Sequence, residues 1–287
     1  MSLAIGPEHL PLPKDADGVI RVGGSRANGE DKFCRVLFGD RWGGQGEAMN
    51  FESSFRRFVS ELPYAEIYDN GSGEGKTADY LFFERRLIAE LKCLENDPSH
   101  QIQSLADQLV AQRGIVLYGS TSFVRLFQSQ PDSAAINDEA RRIASVCLRK
   151  HVRKANEQIR DTRDRERLAD SLGLLIVANV ENRPLTEEVF LWALGRLLRG
   201  RKRDGSRVFS SIDAALYIPT QEQHFVRVSE KGPSVARCWW VYRDNGPRAG
   251  YLRRMIEIII GRWAAFNGAP YVSHSESLEY LRSGRFS

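Results

Sequence analysis

Three ionisable residues lie at a spacing that chemistry could use: Asp79, Glu90 and Lys92. They fall in TADYLFFERRLIAELK, two apolar runs separated by Glu84 and Arg85. Side chains alternate across a strand, so Glu90 and Lys92 point to one face. With a tight connection at Glu84 and Arg85, Phe83 faces Arg86, and counting back sets Asp79 opposite Glu90. Such opposed residues hold their Cβ atoms about 4.5–5.5 Å apart, and a longer loop or a bulge moves Asp79 to a diagonal neighbour. Two carboxylates and an ammonium among Leu81, Leu87, Ala89 and Leu91 are costly to bury without purpose. A hard divalent cation supplies one. Asp79 and Glu90 offer charged oxygens and the Leu91 carbonyl a third, and Mg²⁺ takes such ligands while keeping several waters. Near a phosphodiester the ion polarises the phosphoryl oxygen and lowers the pKa of an attacking water. Lys92 then orients or deprotonates that water, or stabilises the pentacovalent charge. A solvated hairpin bearing weak exposed pairs would carry the same letters, and the apolar content of both faces argues against it.

The surrounding elements must hold this trio. NFESSFRRFVSEL puts Phe51, Phe55, Phe58, Val59 and Leu62 at helical spacing and stops at Pro63. YAEIYDN reads as a short strand, SHQIQSLADQLVAQ as a helix and GIVLYGS as a short strand or loop. A long charged helical stretch, broken once or twice, is expected from about 137 to 171. LGLLIVANV is a continuous apolar run suited to a buried strand. TEEVFLWALGRLLRG follows as an amphipathic helix, with Pro184 near its start and Gly200 at its end. SIDAALYIPT and SVARCWWVYRD read as further strands. In YLRRMIEIIIGRWAAF, Leu252, Met255, Ile256, Ile259, Ile260 and Trp263 share one helical face, so it reads as a core helix rather than a bilayer span. The order is an α/β pattern. Residues 1–45 form a loosely structured N-terminal arm, possessing at most a strand or two, ahead of one domain over 46–287.

T-A-Asp79 followed after ten residues by Glu90-L-Lys92 resembles the PD-(D/E)xK nuclease signature. The resemblance implies a restriction-endonuclease-like core, a central mixed β-sheet flanked by helices, here with a helical insertion at about 137–171. It implies Mg²⁺-dependent phosphodiester hydrolysis, with Mn²⁺ substituting, and favours DNA over RNA, as an endonuclease or exonuclease. The family's helix before the hairpin often carries a glutamate that touches the metal site; Glu52 matches that position, with Glu61 a second candidate. Ala78 stands where the signature has proline. The rival is a nucleic-acid-binding or assembly module that keeps the fold without cutting.

Asn70–Thr77, NGSGEGKT, ends like a phosphate-binding loop, yet Asn70 stands where that motif requires glycine. The segment after it would have to be a helix, and ADYLFFERRLIAELK scatters its apolar residues around a helical circumference instead. A glycine-rich hairpin loop is expected, with no nucleotide cofactor. The net charge of +4 over 287 residues permits a polyanionic partner. RGRKRDGSR, with Arg199, Arg201, Lys202 and Arg203, has little acidic relief and is the stronger phosphate-contact patch. The stretch with Arg149, Lys150, Arg153 and Lys154 reads equally as a backbone-binding surface or as a solvated helix with internal ion pairs. Asn156, Gln158 and Asn179 are polar groups at suggestive places, each more simply a cap or local bond. The five histidines have no helical partners that would make a metal site. Cys34, Cys93, Cys147 and Cys238 lie far apart and imply reduced thiols in a cytoplasmic protein without structural zinc. No secretory signal and no membrane partner are expected, and a homodimer is left open.

Overall fold

Asn50 starts the first helix. Its side-chain oxygen accepts the Glu52 N–H at 3.0 Å and caps α1, Phe51–Ser60. The computed structural model describes residues 34–36, 50–68, 77–116, 121–220, 225–227, 234–236, 238–243, 247–268 and 271–273. Of the N-terminal arm, Cys34–Val36 is described as β1, paired antiparallel with β10, Tyr271–Ser273. The rest of the arm, the glycine-rich loop over 69–76 and residues 117–120 of GIVLYGS lie outside the described residues.

The central sheet has six strands. In spatial order they are β2 (Ala65–Ile67), β3 (Tyr80–Phe82), β4 (Leu87–Leu94), β5 (Leu172–Asn179), β6 (Ala214–Pro219) and β9 (Trp239–Tyr242). The β4–β5 and β5–β6 pairs are parallel and the others antiparallel, so the chain is α/β with a mixed open sheet. A parallel neighbour needs a crossover. Between β4 and β5 it consists of α2 (Ser99–Arg113), α3 (Phe123–Phe127) and α4 (Ser133–Arg165). Between β5 and β6 it is α5, Glu187–Arg199, capped by Thr186. β7 (Phe225–Arg227) and β8 (Ser234–Ala236) form a separate pair, and α6 spans Pro247–Phe266.

Both faces of the sheet are covered. On one, α1 and α6 close over Tyr80, Phe82, Ala89 and Ile176, with Trp263 of α6 packed against the Phe51, Phe55 and Phe58 rings. On the other, α2 to α5 cover Leu81, Ile88, Leu175 and Tyr217. Every residue of β5 and β6 is buried, which is why LGLLIVANV shows no polar alternation.

Three expectations change. The stretch read as a broken helical insertion over 137–171 is the single 33-residue helix α4. It contains neither Gly nor Pro to kink it, and Ala140, Ala144, Leu148, Val152, Ala155 and Ile159 form a buried stripe that seats it on the sheet. SVARCWWVYRD divides into β8 and β9, which belong to different sheets. The last helix begins at Pro247 rather than Tyr251.

The hairpin has the expected register. Tyr80 pairs with Ala89 and Phe82 with Leu87, so the ladder extended one step sets Asp79 against Glu90. The Arg86 N–H closes the turn on the Phe83 carbonyl at 3.2 Å. Phe83, Glu84 and Arg85 all take positive φ, at 53°, 55° and 66°. Two positive values in the centre of a two-residue turn match the right-handed twist of the strands. For residues with a Cβ each costs about 1–2 kcal/mol.

Candidate active site

β3 begins at Tyr80, so beyond Ala89 the edge of β4 faces the approaching chain rather than a strand. Asp79 occupies that place. Its Oδ2 accepts the Leu91 N–H at 2.8 Å, and its carbonyl accepts the Tyr68 N–H at 2.8 Å. A strand residue's N–H and C=O lie on the same edge, so the Leu91 carbonyl belongs to the edge where Asp79 stands.

Glu90 is fully buried, at 0% exposure. Its Oε1 pairs with the Lys92 ammonium, while Oε2 has no hydrogen-bond partner among the described residues. Lys92 Nζ also donates to Gln158 Oε1 at 3.0 Å, and Gln158 Nε2 donates to the Thr77 carbonyl at 2.8 Å. Four residues on, Thr162 Oγ1 accepts the Ala78 N–H at 2.8 Å. Another turn on, Glu166 accepts from the Tyr68 hydroxyl and from Arg85. Gln158 and Thr162 of α4 and Glu166, its C-cap, thus form one stripe that straps the chain on either side of Asp79. Sequence reasoning noticed Gln158 and gave it no role; the four-residue recurrence of non-basic polar groups on a basic helix was the available signal.

Glu52 is exposed in the first turn of α1, yet its charge reaches the cluster. Burial pushes the Asp79 carboxyl above its ordinary range. The Leu91 N–H and Lys92 oppose that rise, and Glu52 adds to it. Glu61 sits at the opposite end of α1, about 13 Å away along the axis. Burial, then the Asp79 charge, raises Glu90 to about 8 against the pull of Lys92. The Asp79 charge acts directly on Glu90, so the two titrate together.

The pair therefore makes stability depend on pH. Both carboxyls have raised values in the folded chain, which binds more protons than the unfolded chain above the ordinary carboxyl range. Their contribution is fully present below about pH 4 and is lost as pH rises through about 8. In chelated buffer the unfolding free energy from urea titration should fall between pH 5 and pH 9 by on the order of a few kcal/mol. Unchanged stability across that window would contradict the raised values of this pair.

The basic residues separate into two groups. His151 of α4 is half-buried, and burial lowers its pKa, with the Lys92, Lys154 and Lys150 charges adding to the effect. The Lys150, Lys154 and Lys92 charges thus all act on one imidazole, and Arg149 and Arg153 are exposed on the same helix. Arg199 ends α5, and Arg201, Lys202 and Arg203 are exposed in the loop toward β6, two strands from β4. Two bonds close that loop on itself, from Arg201 Nη1 to the Gly205 carbonyl at 2.8 Å and from the Lys202 N–H to Ser206 at 2.7 Å.

Asn156 accepts the Ser211 N–H at 2.9 Å, and Asn179 Nδ2 donates to the Asn182 and Leu185 carbonyls and to the Tyr217 hydroxyl. Both hold loops in place. Among the described residues no three His, Cys, Asp or Glu side chains are grouped as a metal site, and no helix is long and apolar enough to cross a membrane. The donor set at β4 is two carboxylates and a main-chain edge. It fits a hard cation completed by water, and the partnerless Glu90 Oε2 is the atom such an ion would satisfy. No protein-family model matches the chain, and neither a curated protein nor a solved structure matches it.

Proposed function

We propose that this protein is a Mg²⁺-dependent nuclease with a restriction-endonuclease-like core, hydrolysing phosphodiesters of nucleic acid, DNA in preference to RNA. The observation that carries the reading is Glu90, a fully buried carboxylate with one oxygen lacking a partner, beside a half-buried carboxylate, Asp79, and a lysine. A buried charge of this kind costs several kcal/mol unless something is bound to it.

Asp79 and Glu90 hold the ion, with the Leu91 carbonyl on the same edge, and Mn²⁺ substitutes. When bound, the ion supplies Lewis-acid polarisation of the phosphoryl oxygen and a lowered pKa for water. Lys92, held by Gln158 from one side and Glu90 from the other, orients the attacking water or stabilises charge developing on the phosphorus oxygens. Gln158 keeps the ammonium over the site through its second bond to Thr77. Glu52 assists from the rim. Lys150, Arg153 and Lys154 align the backbone of the substrate without reading its sequence.

The second reading is a nucleic-acid-binding or assembly module that has kept the fold without cutting. The absence of a third grouped acid, histidine or cysteine among the described residues favours it. Calorimetric titration of Mg²⁺ and Mn²⁺ with duplex DNA present, paired with a cleavage assay, separates them. The nuclease is expected to bind the ion and cut, and Asp79→Ala and Glu90→Ala to do neither. A protein that binds DNA but takes up no divalent ion is the module.

A further inference from the structure

A cavity of about 470 Å³ opens where the β3–β4 turn, the turn between α4 and β5, and the first turn of α6 meet. Leu168 and the buried Leu172 give it an apolar floor, and Arg86, Arg167, Arg248 and Tyr251 line it together with the carboxylates Glu84 and Asp170. Leu172 pairs with Leu87 at the start of β4, five residues and about 17 Å from Lys92 along the strand. The cavity is therefore separate from the Asp79 cluster.

Its cations are loosely held. Arg85 is committed, bridging Glu66 at 3.0 Å and Glu166 at 2.8 Å. Arg86 by contrast makes a 3.4 Å contact to Glu84, whose side chain is 85% exposed, and another of 3.4 Å to the Tyr251 hydroxyl. Arg248 reaches Asp170, which is 99% exposed, at 3.2 Å. Arg167 makes no ion pair with any described residue. Exposed pairs of this kind contribute little and open readily. Three guanidinium groups are thus free to turn onto a ligand, and guanidinium binds phosphate through paired N–H donors.

The backbone shapes the concave wall. The four non-glycine residues with positive φ among those described are Phe83, Glu84, Arg85 and Arg167. They come from two segments far apart in sequence, and three of them line the cavity. Those at the β3–β4 connection belong to its tight turn, and Arg167 is the left-handed residue that ends α4, its neighbour Leu168 returning an N–H to the Arg163 carbonyl at 2.9 Å. Tyr251 is 45% exposed, leaving an aromatic face beside the arginines, the pairing that nucleic-acid-binding surfaces use to stack a base.

We infer that this cavity binds one nucleotide unit. Its phosphate is held by Arg86, Arg167 and Arg248, and its base lies on Tyr251 over the Leu168 and Leu172 floor. The volume lies within the range of small-ligand pockets, roughly 300–1,000 Å³. The unit comes either from a free mononucleotide or from a strand whose phosphodiester enters the cavity. The inference uses no residue of the metal site and stands without it.

The test is calorimetry on the full chain in EDTA at low salt, with thymidine 5′-monophosphate, thymidine, inorganic phosphate and a single-stranded thymidine ten-mer. The monophosphate should bind and thymidine should not. Arg167→Ala/Arg248→Ala should weaken the monophosphate at least tenfold, with the fold checked by circular dichroism. Tyr251→Ala should weaken it severalfold and leave inorganic phosphate unchanged. If the ten-mer binds more tightly than the monophosphate and is weakened by the same double substitution, the strand is the source. If only the monophosphate is weakened, the free nucleotide is. No monophosphate binding, binding indifferent to the double substitution, or phosphate binding as well as nucleotide with Tyr251→Ala silent would each overturn the inference.

Discussion

Glu90→Gln is expected to keep the fold, lose divalent binding, and lower phosphodiesterase activity about a thousand-fold. The side chain keeps its volume, so no cavity or overpacking arises at a position with 0% exposure. A neutral amide oxygen is a weaker ligand for a hard cation than the carboxylate it replaces, and the site loses one of its two negative charges; an interaction worth about 4 kcal/mol in the transition state is about a thousand-fold in rate. The effect on stability has the opposite sign. The partnerless Oε2 becomes an N–H donor beside Asp79, and the buried negative charge disappears. In chelated buffer at pH 8 the variant should be more stable than the parent by about 1–3 kcal/mol. It should also lose most of the fall in stability with rising pH. A variant that still binds Mn²⁺ and still cuts would end the assignment of Glu90. One that loses activity and also stability at pH 8 would make its role structural.

Gly173→Ala should be among the most damaging single-methyl changes in the chain, destabilising by at least about 3 kcal/mol. Gly173 lies in β5 between β4 and β6, and a Cβ there would stand 1.9 Å from the Ser211 carbonyl oxygen and 3.0 Å from Ile159 Cγ2. The first neighbour is main chain and cannot rotate away. It is also tied in place. Asp213 accepts the Gly173 N–H at 2.8 Å and returns its own N–H to the Gly173 carbonyl at 2.8 Å, and Arg243 pairs with the Asp213 carboxylate. Asn156 of α4 holds the Ser211 N–H, so a displaced 211–213 segment disturbs the helix that also carries Gln158. Gly195→Ala is the control. Its added methyl meets only the far end of Arg199, at 3.3 Å, and in a helix interior the exchange is worth about 0.5–1 kcal/mol in favour of alanine. Urea midpoints of the two variants should move in opposite directions, and equal midpoints would contradict the backbone clash.

Much of the candidate site was legible because its pattern is local. Strand alternation and a two-residue turn at Glu84 and Arg85 suffice to set Asp79 against Glu90, and the observed pairing of Tyr80 with Ala89 has that register. The same holds for the apolar face of α1 and the continuous run of β5, where period and composition report burial directly. What no local pattern carries is the identity of a partner across the fold. Gln158 lies 66 positions from Lys92, and the two meet only because the parallel β4–β5 connection lays α4 over the sheet. The basic stretch of that helix was equally a solvated surface or a functional one, and the Lys150, Lys154 and Lys92 charges act on one imidazole only through where α4 packs. The division of SVARCWWVYRD between two sheets and the meeting of three distant turns around Arg86, Arg167 and Arg248 are of the same kind. By itself the sequence determined the periods, the turn and the pair of carboxylates, since each depends on neighbours a few residues apart. The tertiary structure alone decided what surrounds that pair, since crossover paths and packing angles are properties of the whole core.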